Sequence, residues 1–124
     1  MQVLTSTVAR ILFAIPFGIF GLLHFMGAQN MAGMVPSWIP GGVFWVYLTG
    51  LAHIAATVSI IAQKKAKLAS LLLAAMLGVF VLTIHLPGMI GATDEMGRMM
   101  SMSGFLKDVA LAGGALAFAG LAKD

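Results

Sequence analysis

Hydrophobic residues run almost unbroken through four stretches of this chain, and the polar positions gather between them. The stretches cover approximately Val8–Met26, Val43–Ala62, Leu68–Leu86 and Gly104–Leu121. Each holds about 20 residues, the length that a helix rising ~1.5 Å per residue needs to cross a hydrocarbon core of ~30 Å. None alternates with the period of a barrel strand, and a backbone in lipid must satisfy its own hydrogen bonds, so the pattern predicts four transmembrane helices. Short connections between them predict an all-α integral membrane four-helix bundle with up-down topology. It forms one domain over residues 1–124, with no internal repeat.

Composition agrees with this pattern. A chain of 124 residues that is 60% hydrophobic and 9% charged cannot present the polar surface of a small soluble domain. The first stretch is expected to stay as a helix rather than act as a signal peptide, because Arg10 is its only early positive charge. No A-x-A cleavage pattern follows His24-Phe25-Met26-Gly27. The absence of cysteine excludes disulfides, thiolate chemistry and CxxC redox or metal motifs.

Basic residues set the expected orientation, since Lys and Arg accumulate in cytoplasmic loops. Lys64, Lys65 and Lys67 lie between the second and third stretches, and Arg10 and Lys123 belong to the same side. Only Arg98 and Lys107 fall opposite. Both termini are therefore expected on the cytoplasmic side. The net charge of +3 follows this bias and forms no stripe that would hold nucleic acid.

Of the two outer connections, residues 27–42 carry Pro36, Pro40 and paired glycines, which predicts an irregular cap. Residues 87–103 open on a Pro-Gly stop and carry Asp94 and Glu95, which predicts a second irregular segment. Trp38, Trp45 and Tyr47 fall near this boundary as an interfacial aromatic belt. Pro16 predicts a kink in the first helix. Gly18 and Gly21 on the first helix, with Ala110, Gly113, Gly114 and Ala117 on the fourth, allow close helix approach.

The candidate chemistry lies in the few ionisable groups embedded in these apolar runs. His24, His85, Lys107 and Asp108 fall at helix ends that meet on the outer side of an up-down bundle. His53 lies ~15 Å into the second helix, with Thr49, Gly50 and Thr57 on the same face. A polar group at that depth costs on the order of a few kcal/mol unless it is satisfied, which singles out His53. Arg10 and Lys123 read as snorkelling side chains, and Lys107 as one that rises to the headgroups. Asp108 either neutralises a neighbouring histidine or serves a site.

The methionines carry a second signal. Met26, Met31, Met34, Met89, Met96, Met99, Met100 and Met102 all fall on the outer side. Thioether and imidazole together suit Cu(I), so His24, His85, Met99 and Met100 form a candidate copper site. The same run serves equally as an apolar packing patch.

Four segments carry a resemblance: Arg10 opening the first helix, Gly21-Leu22-Leu23-His24-Phe25, Tyr47-Leu48-Thr49-Gly50-Leu51-Ala52-His53, and Leu106-Lys107-Asp108-Val109-Ala110-Leu111. Over nearly the whole chain the sequence resembles the DoxX family of small bacterial membrane proteins, whose members are linked to membrane redox and oxidative-stress systems. The family takes its name from a subunit of a thiosulfate:quinone oxidoreductase. The resemblance implies a multi-pass protein of the bacterial cytoplasmic membrane, acting as an accessory or quinone-contacting subunit without catalysis of its own. His53 and His85 would hydrogen-bond a quinone carbonyl, Asp108 would orient an imidazole or relay protons, and Trp45 would pack on the ring. His24 and Thr49 complete this candidate site. Members often carry an acidic residue where this chain has His53, so a group titrating nearer neutrality replaces a carboxylate. The expected partners are the lipid bilayer, redox-protein subunits and further copies of the chain. Alternatives are a metal-handling protein or a structural module without a ligand.

Overall fold

The computed structural model describes residues 2–35 and 37–122. The side chain of Met34, together with Pro36 and Lys123, on which parts of the sequence reading fall, lie outside the described residues. The described chain is helical, without a strand, and contains four helices long and apolar enough to cross a membrane. They are α1 (Leu4–Met26), α3 (Val43–Ala62), α4 (Ala66–Ile90) and α5 (Glu95–Leu121), with a short α2 (Ala28–Met31) after the first.

Local chemistry explains most of the boundaries. The chain enters α3 through Gly41 and Gly42, whose φ angles of +106° and +40° suit residues without a Cβ. It leaves through Gln63 in the left-handed conformation, and the Lys64 amide donates back to the Ser59 carbonyl. The described residues between 27 and 42 form the irregular cap expected of them: α2, a 3-10 turn at Ala32–Met34, and turns. Pro16 lies within α1, which continues past it as helix.

The second outer connection corrects the sequence reading, because Pro87 does not stop α4. A π-helical turn at Val81–His85 precedes it, in which the Leu86 amide donates to the Val81 carbonyl five residues back. The helix then runs on to Ile90. The wider turn relaxes the regular i to i−4 ladder that an interior proline would break. Nor does the fourth helix wait for Gly104. Asp94 caps it, its Oδ1 accepting from the Gly97 amide at 2.9 Å, and Glu95 lies in its first turn. The Met-rich run is therefore helical, and the true connection shrinks to a few residues around Ala92.

Helix α1 packs on α3, α3 on α4, and α4 on α5. The first pair is antiparallel, as Ala14 meets Thr57, Gly21 meets His53, and His24 meets Gly50. Their crossing is very close. A Cβ on Gly21 would stand 2.6 Å from Ile54 Cγ1 and 2.8 Å from the Gly50 oxygen, so only glycine fits. On α5 the close approach is made by Gly114, beneath the Phe13 ring, and by buried Ala115. Gly113 faces open space, and Ala110 and Ala117 are exposed.

The core combines Ala14 and Phe17 of α1, Ile60 of α3, Leu73 and Leu77 of α4, and Ala115 of α5. Outside it, large apolar side chains such as Leu12, Leu51, Leu72, Leu82 and Leu116 cover the exposed faces. An apolar exterior of this extent is compatible with a lipid surrounding.

Candidate functional site

All four long helices contribute to one cavity of about 430 Å³. His24 reaches it from α1, Trp45, Thr49 and His53 from α3, His85 from α4, and Asp108 from α5. The six residues that the sequence assigns to a ligand site are thus neighbours. The copper set is not gathered in the same way. His24 and His85 line the cavity, whereas Met99 and Met100 stand 60% and 68% exposed and do not line it. Among the described residues no group of three or more His, Asp or Glu side chains is placed to hold a metal ion.

His53 is 3% exposed, and its imidazole is fixed by its own helix. Nδ1 lies 2.7 Å from the Thr49 carbonyl oxygen, one turn earlier. A carbonyl oxygen offers only lone pairs, so this nitrogen must carry the proton and donate. The ring lies against Phe17 of α1 and Phe80 of α4, with centroids at 5.9 and 6.2 Å and planes inclined by 27° and 18°. His24 repeats the arrangement on α1, its Nδ1 donating to the Phe20 carbonyl at 2.6 Å. The two imidazole centroids are 4.9 Å apart. The close crossing at Gly21 and Gly50 makes this pairing possible, since a Cβ on Gly50 would stand 2.7 Å from His24 Cβ.

On the other side of the cavity, His85 Nε2 lies 2.8 Å from Asp108 Oδ2. Asp108 is 6% exposed, so His53 is not the only deeply buried polar group, as the sequence suggested. The imidazole that Asp108 meets directly is His85. Gly104, one turn before Asp108, leaves room for it: a Cβ there would stand 2.6 Å from His85 Cε1. Lys107 is exposed, and its ammonium lies 5.3 Å from the centre of the Phe20 ring, a cation–π contact at the rim of the cavity. Arg10, half-buried with Nε enclosed and without a hydrogen-bond partner among the described residues, does not line this cavity.

Residues 13–112 match a protein-family model described as Domain of unknown function (DUF8561). The chain belongs to DUF8561. The matched range extends from Phe13 on α1 to Ala112 on α5 and takes in every side chain of the cavity, so the site lies wholly within the DUF8561 domain. No curated protein and no solved structure matches the chain.

Several parts of the DUF8561 cavity escaped the sequence reading. Phe17 and Phe80, apolar residues that the sequence does not single out, flank His53. The signal was helical spacing, as Phe17 is two turns before His24 and shares its face. Gly104 and Thr83 were also passed over, although Gly104 lies at i−4 from Asp108.

Proposed function

We propose that this DUF8561 protein binds the ring of a membrane quinone as an accessory subunit of a redox or oxidative-stress system in the bacterial cytoplasmic membrane. The observation that carries the reading is the meeting of His24, His53 and the His85–Asp108 pair in one largely apolar cavity. About 430 Å³ lies within the ~300–1,000 Å³ of small-molecule sites, and apolar walls with a few converging polar groups are their usual composition. Trp45 and Phe20 offer aromatic walls to a flat ring. The resemblance to DoxX proteins supports a redox setting. The same resemblance suits a chain that acts with other subunits rather than as an enzyme by itself.

The test is what copurifies. Protein extracted from native membranes in mild detergent is expected to carry quinone in its lipid extract. Counting quinone and hydroquinone together, His53→Ala, checked for folding by circular dichroism, is expected to retain about tenfold less, the factor for ~1.4 kcal/mol of lost contacts. Equal quinone in the two proteins, or none in either, would defeat the reading.

The same proposal places both termini and the Lys64-Lys65-Lys67 connection on the cytoplasmic side of an up-down bundle. The natural lack of cysteine makes this simple to examine. A Lys64→Cys variant is expected to react with a membrane-impermeant maleimide in inside-out vesicles and to stay unlabelled in intact spheroplasts. Labelling in spheroplasts would invert the topology.

A further inference from the structure

The cavity has an unusual hydrogen-bonding inventory, because almost every donor on its wall is already engaged. His24 and His53 each place Nδ1–H on a backbone carbonyl of their own helix, at 2.6 and 2.7 Å. As neutral rings they offer the cavity only the lone pair of Nε2. Thr49 Oγ1 donates to the Val46 carbonyl at 3.0 Å, and Thr83 Oγ1 to the Val79 carbonyl at 2.7 Å, which leaves both hydroxyls as acceptors. The Trp45 indole N–H donates to the Pro40 carbonyl. Between His85 Nε2 and Asp108 Oδ2 a single proton serves both atoms, and with the His85 ring neutral its Nδ1 is a further acceptor. Among the polar groups described around the cavity, that leaves Lys107, at the rim, as the donor without a hydrogen bond to the protein.

We infer that the cavity prefers the reduced, dihydroxy form of its ligand, a hydroquinone, over the quinone. The inference rests on the quinone-site reading above. A quinone presents two carbonyl oxygens, which accept and cannot donate, so the inner imidazole lone pairs would be desolvated without partners. A hydroquinone donates one O–H inward to Nε2 of His53 or His24, and its outer oxygen accepts from the Lys107 ammonium. Each end of the ligand then meets its complement. The expectation that histidine N–H groups hold a quinone carbonyl conflicts with this geometry, since the N–H of His53 is already on Thr49.

A site built around a hydroxyl rejects analogues that lack it, because its own polar groups go unpaired. The full chain, reconstituted in quinone-free nanodiscs, is titrated anaerobically with a short-chain benzoquinone, with its dithionite-reduced hydroquinone, and with the hydroquinone dimethyl ether, which keeps the ring and both oxygens but has no O–H. Calorimetry reads binding directly. The hydroquinone is expected to bind about tenfold or more tightly than either of the others. A tenfold preference also raises the potential of the bound two-electron couple by about 30 mV. His53→Leu is expected to remove most of the difference, and the three ligands on the wild-type chain decide the matter even if that variant does not fold.

Quinone and hydroquinone binding equally, or quinone binding more tightly, would overturn the preference while leaving the quinone site standing. Ether and hydroquinone binding alike would overturn it as well, since the O–H would then contribute nothing. Failure of all three to bind the folded chain would overturn the site reading itself.

Discussion

Replacing Gly21 with alanine is expected to destabilise the protein by about 1–3 kcal/mol, the usual cost of forcing a methyl group into a filled interior. The added Cβ would stand 2.6 Å from Ile54 Cγ1, 3.2 Å from His53 Cβ and 2.8 Å from the backbone oxygen of Gly50. A side-chain tip can turn aside, but the main chain of a facing helix cannot, so α1 and α3 must move apart. In lipid, where neighbouring helices gain no hydrophobic energy from meeting, the lost contact at a small-residue crossing has little to replace it. The displacement falls on the turn that sets His24 beside His53, so ligand binding is expected to weaken together with stability. Gly113→Ala is the matched control. A Cβ there meets nothing within 4 Å, and the better helix propensity of alanine is expected to leave stability unchanged or raise it by ~0.5–1 kcal/mol. Thermal unfolding of both variants in one detergent, followed by circular dichroism, makes the comparison. Equal midpoints would show that the crossing is not as tight as described.

Removing the Asp108 carboxylate is expected to cost a further ~1–3 kcal/mol, because Asp108→Ala leaves His85 with an unpaired ring nitrogen in a largely enclosed position. The His85 side chain keeps 19% exposure, so water at the rim recovers part of the loss, and the effect falls short of that for a fully enclosed pair. Asp108→Asn, which keeps an acceptor oxygen and the side-chain volume, is expected to lose less than the alanine variant. A double-mutant cycle with His85→Ala isolates the pair, with an expected coupling of ~0.5–3 kcal/mol. Additive single losses would mean that the 2.8 Å contact contributes nothing of its own.

The legible part of the fold was the part with unambiguous edges. Helix α3 has the expected bounds, Val43–Ala62, because paired glycines precede it and a polar, lysine-rich turn follows. The errors lie at the Pro-Gly after α4 and the polar run before Gly104, where composition imitates a loop. Asp94 in fact supplies a cap, the methionines are good helix formers, and the turn before Pro87 accommodates the missing amide. Those errors propagated to the site. His85 lies five residues before the end of α4 at Ile90, not one before Leu86, and Asp108 lies thirteen after Glu95, not four after Gly104. Groups expected at helix ends are consequently interior, and they meet His53 in the same cavity. Sequence could single out the titratable residues because charge is rare in an apolar chain. It could not show which hydrogen-bond donors are already engaged, since that depends on ring and hydroxyl orientation.

The π-helical turn at Val81–His85 bears on how such a gene can change. It holds one residue more than the α-helical turn it replaces, so a residue that would turn everything beyond it by about 100° in a regular helix is absorbed by the wider turn. A one-codon deletion at Val81 or Leu82 would leave a regular α-helical turn, in which Pro87 loses the relief that the wider turn provides. It would also leave the downstream part of α4 in register with α5, with His85 still facing Asp108. Most helices tolerate substitution better than a change of length; here the wide turn is a place where Val81 or Leu82 could be lost while the cavity keeps its arrangement, and the same loss from a regular stretch of α4 would turn His85 away from Asp108.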